Sequence, residues 1–283
     1  MPDNSQTQPN AFNCEGGLVL NRSNFVMQPG EALELENFEP DIQGGYRRIN
    51  GFRKFVNQVI PFTSSSSETT LLVANFANKV VAARGEKIFT SSSAELAISI
   101  ASGTGMTGSG TISVGSTVGF SSSGTLQIDS EIFTYTGINS TTFTGVTRAT
   151  SSTTAAAHSK ASVVSESWTV RDTGRTSAAK YHFERFNFDG NEKIICVDQA
   201  NAPVVFNTAM AATDVSTSSV AGAKTVAAYR NHMFYAGKST SPQEIVFSEP
   251  FDEDGFNAGD GAGSIKVDDT VVALKVFRDS LFI

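Results

Sequence analysis

Tyr181–Phe206 reads YHFERFNFDGNEKIICVDQANAPVVF, and its pattern decides the fold class. Tyr181 to Phe188 is rich in aromatic residues and reads as a strand. Asp189-Gly190-Asn191 follows, a pairing of residues that tolerates the left-handed backbone a tight hairpin requires. Lys193 to Val197 then returns as a second strand, and Pro203 to Phe206 as a third. The same plan of strand, polar turn and strand recurs at Lys224 to Tyr229 and His232 to Ala236 around Arg230-Asn231, with Glu244 to Phe247 after it. Upstream, Leu71 to Phe76, Lys79 to Arg84 and Lys87 to Thr90 form another close-spaced meander, turning at Ala77-Asn78 and Gly85.

Composition points the same way. The 283 residues include 21 Phe against one Trp, 40% are hydrophobic and only 17% charged. That supplies a real core together with many Ser, Thr and Gly for turns between short strands. The fold expectation is mainly β: a partial or complete β-propeller-like body with an inserted small β-module and an extended N-terminal arm. The spacing of the meanders is too irregular to count blades. Net charge is −7, which disfavours a sequence-specific DNA reader with a basic footprint. Met1 to Phe12 is polar, and no run is long enough for a membrane span. Cys14 and Cys196 have no metal-ligand spacing, so reduced thiols and synthesis in a cytoplasm are expected.

Five segments follow from this reading. Residues 1–15 are expected to be a flexible arm, and 16–60 an interlocking segment with a short helix at Glu31 to Asn37 and a β-arm at Tyr46 to Phe52. Residues 61–100 begin the propeller-like body. Residues 101–165, rich in Ser, Thr and Gly, form the inserted β-module, because Thr125 to Ile128, Glu131 to Thr136 and Thr142 to Val146 keep a strand period that a flexible linker would not. Residues 166–283 continue the body. Because Leu281-Phe282-Ile283 is an apolar strand without a turn or cap after it, the chain is expected to be the front part of a longer protein.

Two stretches carry a family resemblance. The order of Gly16-Gly17, a short apolar strand, P-G-E-A-L-x-L-x-N-x-E-P at 29–40 and G-G-Y-R-R-x-x-G-F at 44–52 resembles the N-terminal segment of tailed-bacteriophage virion proteins, in particular the tail nozzle or tail tubular protein B family and related propeller-bearing tail-hub proteins. Ser248 to Asp252 and Gly263 to Leu281 resemble the body of that family. Within the module, G-T-L-x-I-D-S-E-x-F-T-Y-T-G at 124–137, T-G-V-T-R at 144–148 and A-A-A-H-S at 155–159 resemble a small module that recurs in phage tail and baseplate proteins.

The resemblance implies a non-enzymatic structural subunit of a phage tail, made in the host cytoplasm and carried in the virion. It would form a homo-oligomeric ring, six-fold in nozzle families, that lets genomic DNA pass without sequence-specific binding and docks adaptor and fibre proteins. A host-surface-binding fibre or adhesin is the alternative, and a propeller enzyme acting on polysaccharide a third. No G-x-S-x-G, H-E-x-x-H or P-loop occurs, and no catalytic, cofactor-binding or metal-ligating set is assigned.

His158 and His232 read as surface or packing residues. His182 shares a strand face with Glu184, without a third ligand or a nucleophile. Arg47, Arg48, Arg53 and Lys54 are the candidate subunit-interface residues. Glu249, Asp252, Glu253, Asp254, Asp260, Asp268 and Asp269 form an acidic stretch without the spacing of a calcium loop; within it Asp252, Glu253 and Asp254 are the candidate channel-lining residues.

Overall fold

The computed structural model describes residues 16–21, 23–28, 30–40, 45–49, 51, 53–65, 67–103 and 110–283. The expected arm at 1–15, Cys14 included, lies outside the described residues, as does Pro29. Among the described residues there is no α-helix, only strands and two single 3₁₀ turns, at Asn24–Val26 and Ala258–Asp260. None is a helix long and apolar enough to cross a membrane. The contacts divide the chain into Met1–Arg53 and Lys54–Ile283.

In the first unit, β1 (Gly17–Leu18) pairs in parallel with β2 (Glu31–Ala32), and β3 (Phe38–Pro40) pairs antiparallel with β4 (Tyr46–Arg48). Gly17 has φ +70°, and a Cβ there would sit 2.7 Å from the Tyr46 ring. The helix expected at Glu31 to Asn37 is absent. Val19 N–H donates to Ala32 O at 2.9 Å, Glu31 is drawn into β2, and Asn37 takes φ +63°. A stretch of two turns is too short to repay helix nucleation, and the alternation of Leu33, Glu34, Leu35 and Glu36 offers a helix no continuous apolar face. Of the expected β-arm, Tyr46–Arg48 is a strand paired with β3, whereas Asn50 and Phe52 lie outside the described residues.

The second unit begins its sheets with β5 (Thr70–Phe76), β6 (Lys79–Arg84) and β7 (Lys87–Ser91), an antiparallel meander. The chain then leaves this sheet for seven strands: β8 (Ser93–Glu95), β9 (Gly110–Ser113), β10 (Gly124–Ile128), β11 (Glu131–Tyr135), β12 (Gly137–Asn139), β13 (Thr142–Val146) and β14 (Val163–Glu166). They form two sheets, in the orders β11-β10-β14-β8 and β12-β13-β9. Their shared core holds Leu96, Ile112, Leu126, Ile128, Phe133, Tyr135, Phe143 and Val164. The Phe143 ring meets Phe120 and Tyr135 edge-on at 5.0 and 4.9 Å, a favourable arrangement for aromatic quadrupoles.

The chain returns with β15 (Thr169–Thr173), which pairs with β7 and completes a four-stranded sheet. A second such sheet follows from β16 (His182–Phe188), β17 (Asn191–Val197), β18 (Val204–Asn207) and β19 (Ala212–Asp214). A third comes from β20 (Thr225–Tyr229), β21 (His232–Lys238), β22 (Ser241–Phe247) and β23 (Gly263–Lys266). The hairpin β24 (Lys275–Phe277) and β25 (Ser280–Phe282) comes last. First strands neighbour one another, β16 beside β20 and β20 beside β24.

The cores lie between successive sheets. Ile194 and Cys196 of β17 pack with Phe76, Val81 and Ile88 of the first sheet, whereas Ile195 and Val197 pack with Val226, Met233 and Tyr235 of the third. Both faces of β17 are therefore buried, which is why IICV is an unbroken apolar run. Ala227, Ala236 and Ile245 of the third sheet bury Val271 and Leu274 on the next interface. Four-stranded antiparallel sheets stacked face to face around their first strands are propeller blades, and the body is β-rich and propeller-like as the sequence led us to expect.

One repeat escaped the sequence reading. The first hairpin of each of the three blades and the last hairpin, β24–β25, turn on two residues that are both left-handed: Ala77-Asn78, Asp189-Gly190, Arg230-Asn231 and Arg278-Asp279. Each pair follows an aromatic residue, Phe76, Phe188, Tyr229 or Phe277. Two-residue turns of this hand match the twist of the strands they join.

Candidate functional site

The residues expected to act at interfaces lie in different settings. Arg47 is exposed on β4 and its Nε donates to Glu39 Oε1 at 2.9 Å; Arg48, Arg53 and Lys54 are also exposed. Asp252, Glu253 and Asp254 occupy the link between β22 and β23. Glu253 is buried, with its Oε1 on Lys193 Nζ at 2.5 Å, and its carbonyl accepts the Tyr235 hydroxyl at 2.7 Å. Asp254 Oδ1 accepts Ser216 N–H at 3.1 Å, and Asp252 Oδ1 accepts Asp254 N–H at 2.9 Å. Burial pushes the Asp254 carboxyl up, against the Ser216 hydrogen bond. The acidic stretch is thus braced onto the second and third blades, and Glu253 is turned inward. Among the described residues no group of three His, Cys, Asp or Glu side chains is placed to hold a metal.

The pairing of His182 with Glu184 is explained by the neighbouring blade. Val226 N–H donates to His182 Nδ1 at 3.2 Å, and the Ala228 N–H hydrogen-bonds Glu184. Both side chains satisfy donors on the free edge of β20, groups that would otherwise be unpaired at a half-buried edge. Burial, with Lys275 nearby, pushes His182 down; burial pushes Glu184 up, partly offset by Lys275 and the Ala228 N–H. His232 is a packing residue, its Nδ1 2.6 Å from Ser248 O and its ring edge-on to Phe247.

His158 is a packing residue and not a surface one, its ring edge-on to Phe133 at 5.7 Å, and it also carries polar contacts. It is buried in the inserted sheets, with Nδ1 2.7 Å from Asp129 Oδ2 and Nε2 2.9 Å from Glu131 Oε2. Glu131 is fully buried and also takes a fork from Arg148, Nε at 2.9 Å and Nη2 at 2.8 Å, plus the N–H groups of Ala149 and Ala156 at 3.0 and 2.9 Å. Burial opposes the charge, but the Arg148, Ala156 and His158 hydrogen bonds outweigh it and hold the carboxyl at about 2. Asp129, Glu131, Arg148 and His158 are thus joined in one polar group. Its members are the D, E, R and H of the motif strings at 124–159, so the signal was present in the sequence without its meaning.

A second polar group joins these sheets to the first blade. Lys79 Nζ donates to Ser92 Oγ at 3.1 Å, to Glu166 Oε2 at 3.2 Å and to the Gly119 carbonyl. Glu166 Oε1 accepts Ser121 N–H at 2.9 Å, and its carbonyl accepts the Ser91 hydroxyl at 2.6 Å. The segment before β5 straps the same junction, with Asn57 Nδ2 on Val163 O at 2.8 Å and Trp168 Nε1 on Gln58 O at 3.2 Å. Buried charge pairs of this kind are directional and allow little sliding. The inserted sheets are therefore held in one orientation on the blade.

No protein-family profile and no curated protein matches the sequence. Among solved structures the chain is similar to one described as "Phage phi92 endosialidase", at 14% identity and a TM-score of 0.38 over 77% of this chain. The match spans 41% of that protein's length. It gives the nozzle family no support over other phage proteins. The expectation of a non-enzymatic protein is corrected by it, since the similar structure is by its description an enzyme and enzymatic chemistry is no longer set aside. At this identity and TM-score the likeness transfers no activity to the present chain.

Proposed function

We propose that the protein is a phage tail component in which a propeller-like body carries a rigidly held β-module toward neighbouring tail parts, as a nozzle, tubular or hub subunit. The observation that carries this reading is the Lys79–Glu166 junction with its Asn57 and Trp168 straps, because a docking surface held in one orientation loses little entropy on assembly. The resemblance of Gly16 to Phe52 and of the 124–159 strings to phage tail segments supports the same context. A net charge of −7 suits a wall past which DNA moves without phosphate contacts. Arg47, Arg48, Arg53 and Lys54 would then meet an acidic neighbouring subunit in a ring.

Light scattering on the full chain and on a chain lacking residues 1–53 tests the ring. A multimer that falls to monomer on deletion supports it, and a monomer in both cases counts against it. For the conduit, virions carrying Asp252→Lys should eject DNA more slowly, and unchanged ejection removes that residue from the wall. A second reading, host-surface binding by a fibre or adhesin component, is favoured by the open polar groove where the module meets the body.

A further inference from the structure

Between the first and second blades the apolar interface opens into a groove of about 560 Å³, within the range of small-ligand sites. Strand alternation creates it. Val81 and Ile88 face Ile194 and Phe206 across the interface, and the next positions on the same strand faces are Lys79, Thr90, Glu192 and Thr208. The apolar surface therefore becomes polar at one end, where the 118–121 loop of the inserted sheets lines the other side.

Arg171 is the one strong unspent charge in this groove. It sits at the register shift of β15 between Val170 and Asp172, half-buried, with Nε on Thr90 Oγ1 at 2.9 Å. Among the described residues neither of its Nη atoms has a hydrogen-bond partner. The other charges are engaged: Lys79 with Glu166, and Glu192 with Arg185 Nη2 at 2.8 Å. A guanidinium pinned through Nε with both Nη atoms open is shaped for bidentate capture of a planar anion. The same groove is lined by Asn78, Thr208 and Glu192, with exposed Val118 as an apolar ledge.

We propose that this groove binds an acidic saccharide, with a carboxylate on the Nη atoms of Arg171 and ring hydroxyls on Asn78, Glu192 and Thr208. A lining that sets Asn78, Ser121 and Thr208 beside the small apolar surfaces of Ala77, Val118 and Ala209 suits a ring with hydroxylated edges and an apolar face. It offers no deep apolar pocket to anchor a peptide side chain. The assignment rests on the host-surface reading and adds to it the ligand class and the residue that selects it.

The test is calorimetric titration of the full chain with tetragalacturonate, its methyl ester and maltotetraose. The acid should bind at least tenfold more tightly than either neutral probe, and more weakly as salt rises. Arg171→Gln should abolish the preference, and Arg171→Lys should restore only part of it. Asn78→Asp, at an exposed turn where Asp tolerates the left-handed backbone, should weaken acid binding about tenfold without touching the core. Binding of all three probes alike, or unchanged by Arg171→Gln and Asn78→Asp, keeps the host-surface reading but overturns the assignment to Arg171. Tighter binding of an oligoglutamate peptide through Arg171 overturns the saccharide class, and no saccharide binding at all overturns both.

Discussion

The blades and the inserted sheets are held together in opposite ways. Between blades the contacts are apolar and redundant, as where Ile194, Cys196, Val204 and Phe206 meet Phe76, Val81 and Ile88. The inserted sheets also have an apolar core, yet their long irregular segment between β13 and β14 is fixed by one carboxylate, Glu131, that serves Arg148, His158 and two backbone N–H groups. Apolar packing is non-directional and degrades gradually when a methylene is lost. A buried ionic group is all or nothing, because removing one member strands the others in a low dielectric. The body should therefore tolerate drift in sequence, whereas the module should not.

The contrast is tested most severely by Glu131→Gln. Leaving Arg148 buried without its carboxylate should cost about 3–5 kcal/mol. Hydrogen exchange should show the 124–166 strands losing protection while β16 to β22 keep theirs; equal loss in both regions would erase the distinction. Lys79→Met comes next, leaving Glu166 with Ser121 but without its cation, at about 2–3 kcal/mol. Its expected signature is a second calorimetric transition as the module melts apart from the body.

Ile194→Val removes one methylene from a blade interface and should cost only about 1 kcal/mol, with a single shifted transition. Acid titration sharpens the comparison further. Glu131 is held at about 2 against an ordinary 4.5, so its contribution is complete above about 4.5 and lost as the pH falls through about 2. Near-ultraviolet dichroism over that window should report the module before the blades. The smallest effect is expected from Glu184→Gln. Glu184 is raised by burial, so its charged form works against folding once the pH exceeds the ordinary carboxylate value. The substitution should raise stability at neutral pH by less than about 1 kcal/mol.

Most strands were legible because their causes are local. Period-two alternation at Thr70–Phe76, aromatic richness at His182–Phe188, and turn residues able to take positive φ at Asn78, Asp189, Gly190 and Asn231 act within a few residues. The helix expected at Glu31 was misread because its competitor, the pairing with Gly17, comes from a distant segment. The polar contacts of His158 were missed for a related reason. Its partners Asp129, Glu131 and Arg148 converge only after β11 and the segments following β13 and preceding β14 have packed. The repeat of aromatic residue and left-handed pair was visible in the letters, but the insertion between the first two copies hides its spacing.

By itself the sequence determined a chain of short strands and tight hairpins, since alternation and turn chemistry are properties of neighbours along the chain. Only the tertiary structure decided which strand completes each blade, turned Glu253 inward onto Lys193, gathered Arg148 and His158 onto Glu131 and left Arg171 with two open donors. Those outcomes depend on desolvation and on groups brought together from distant positions, and neither quantity exists until the chain has folded.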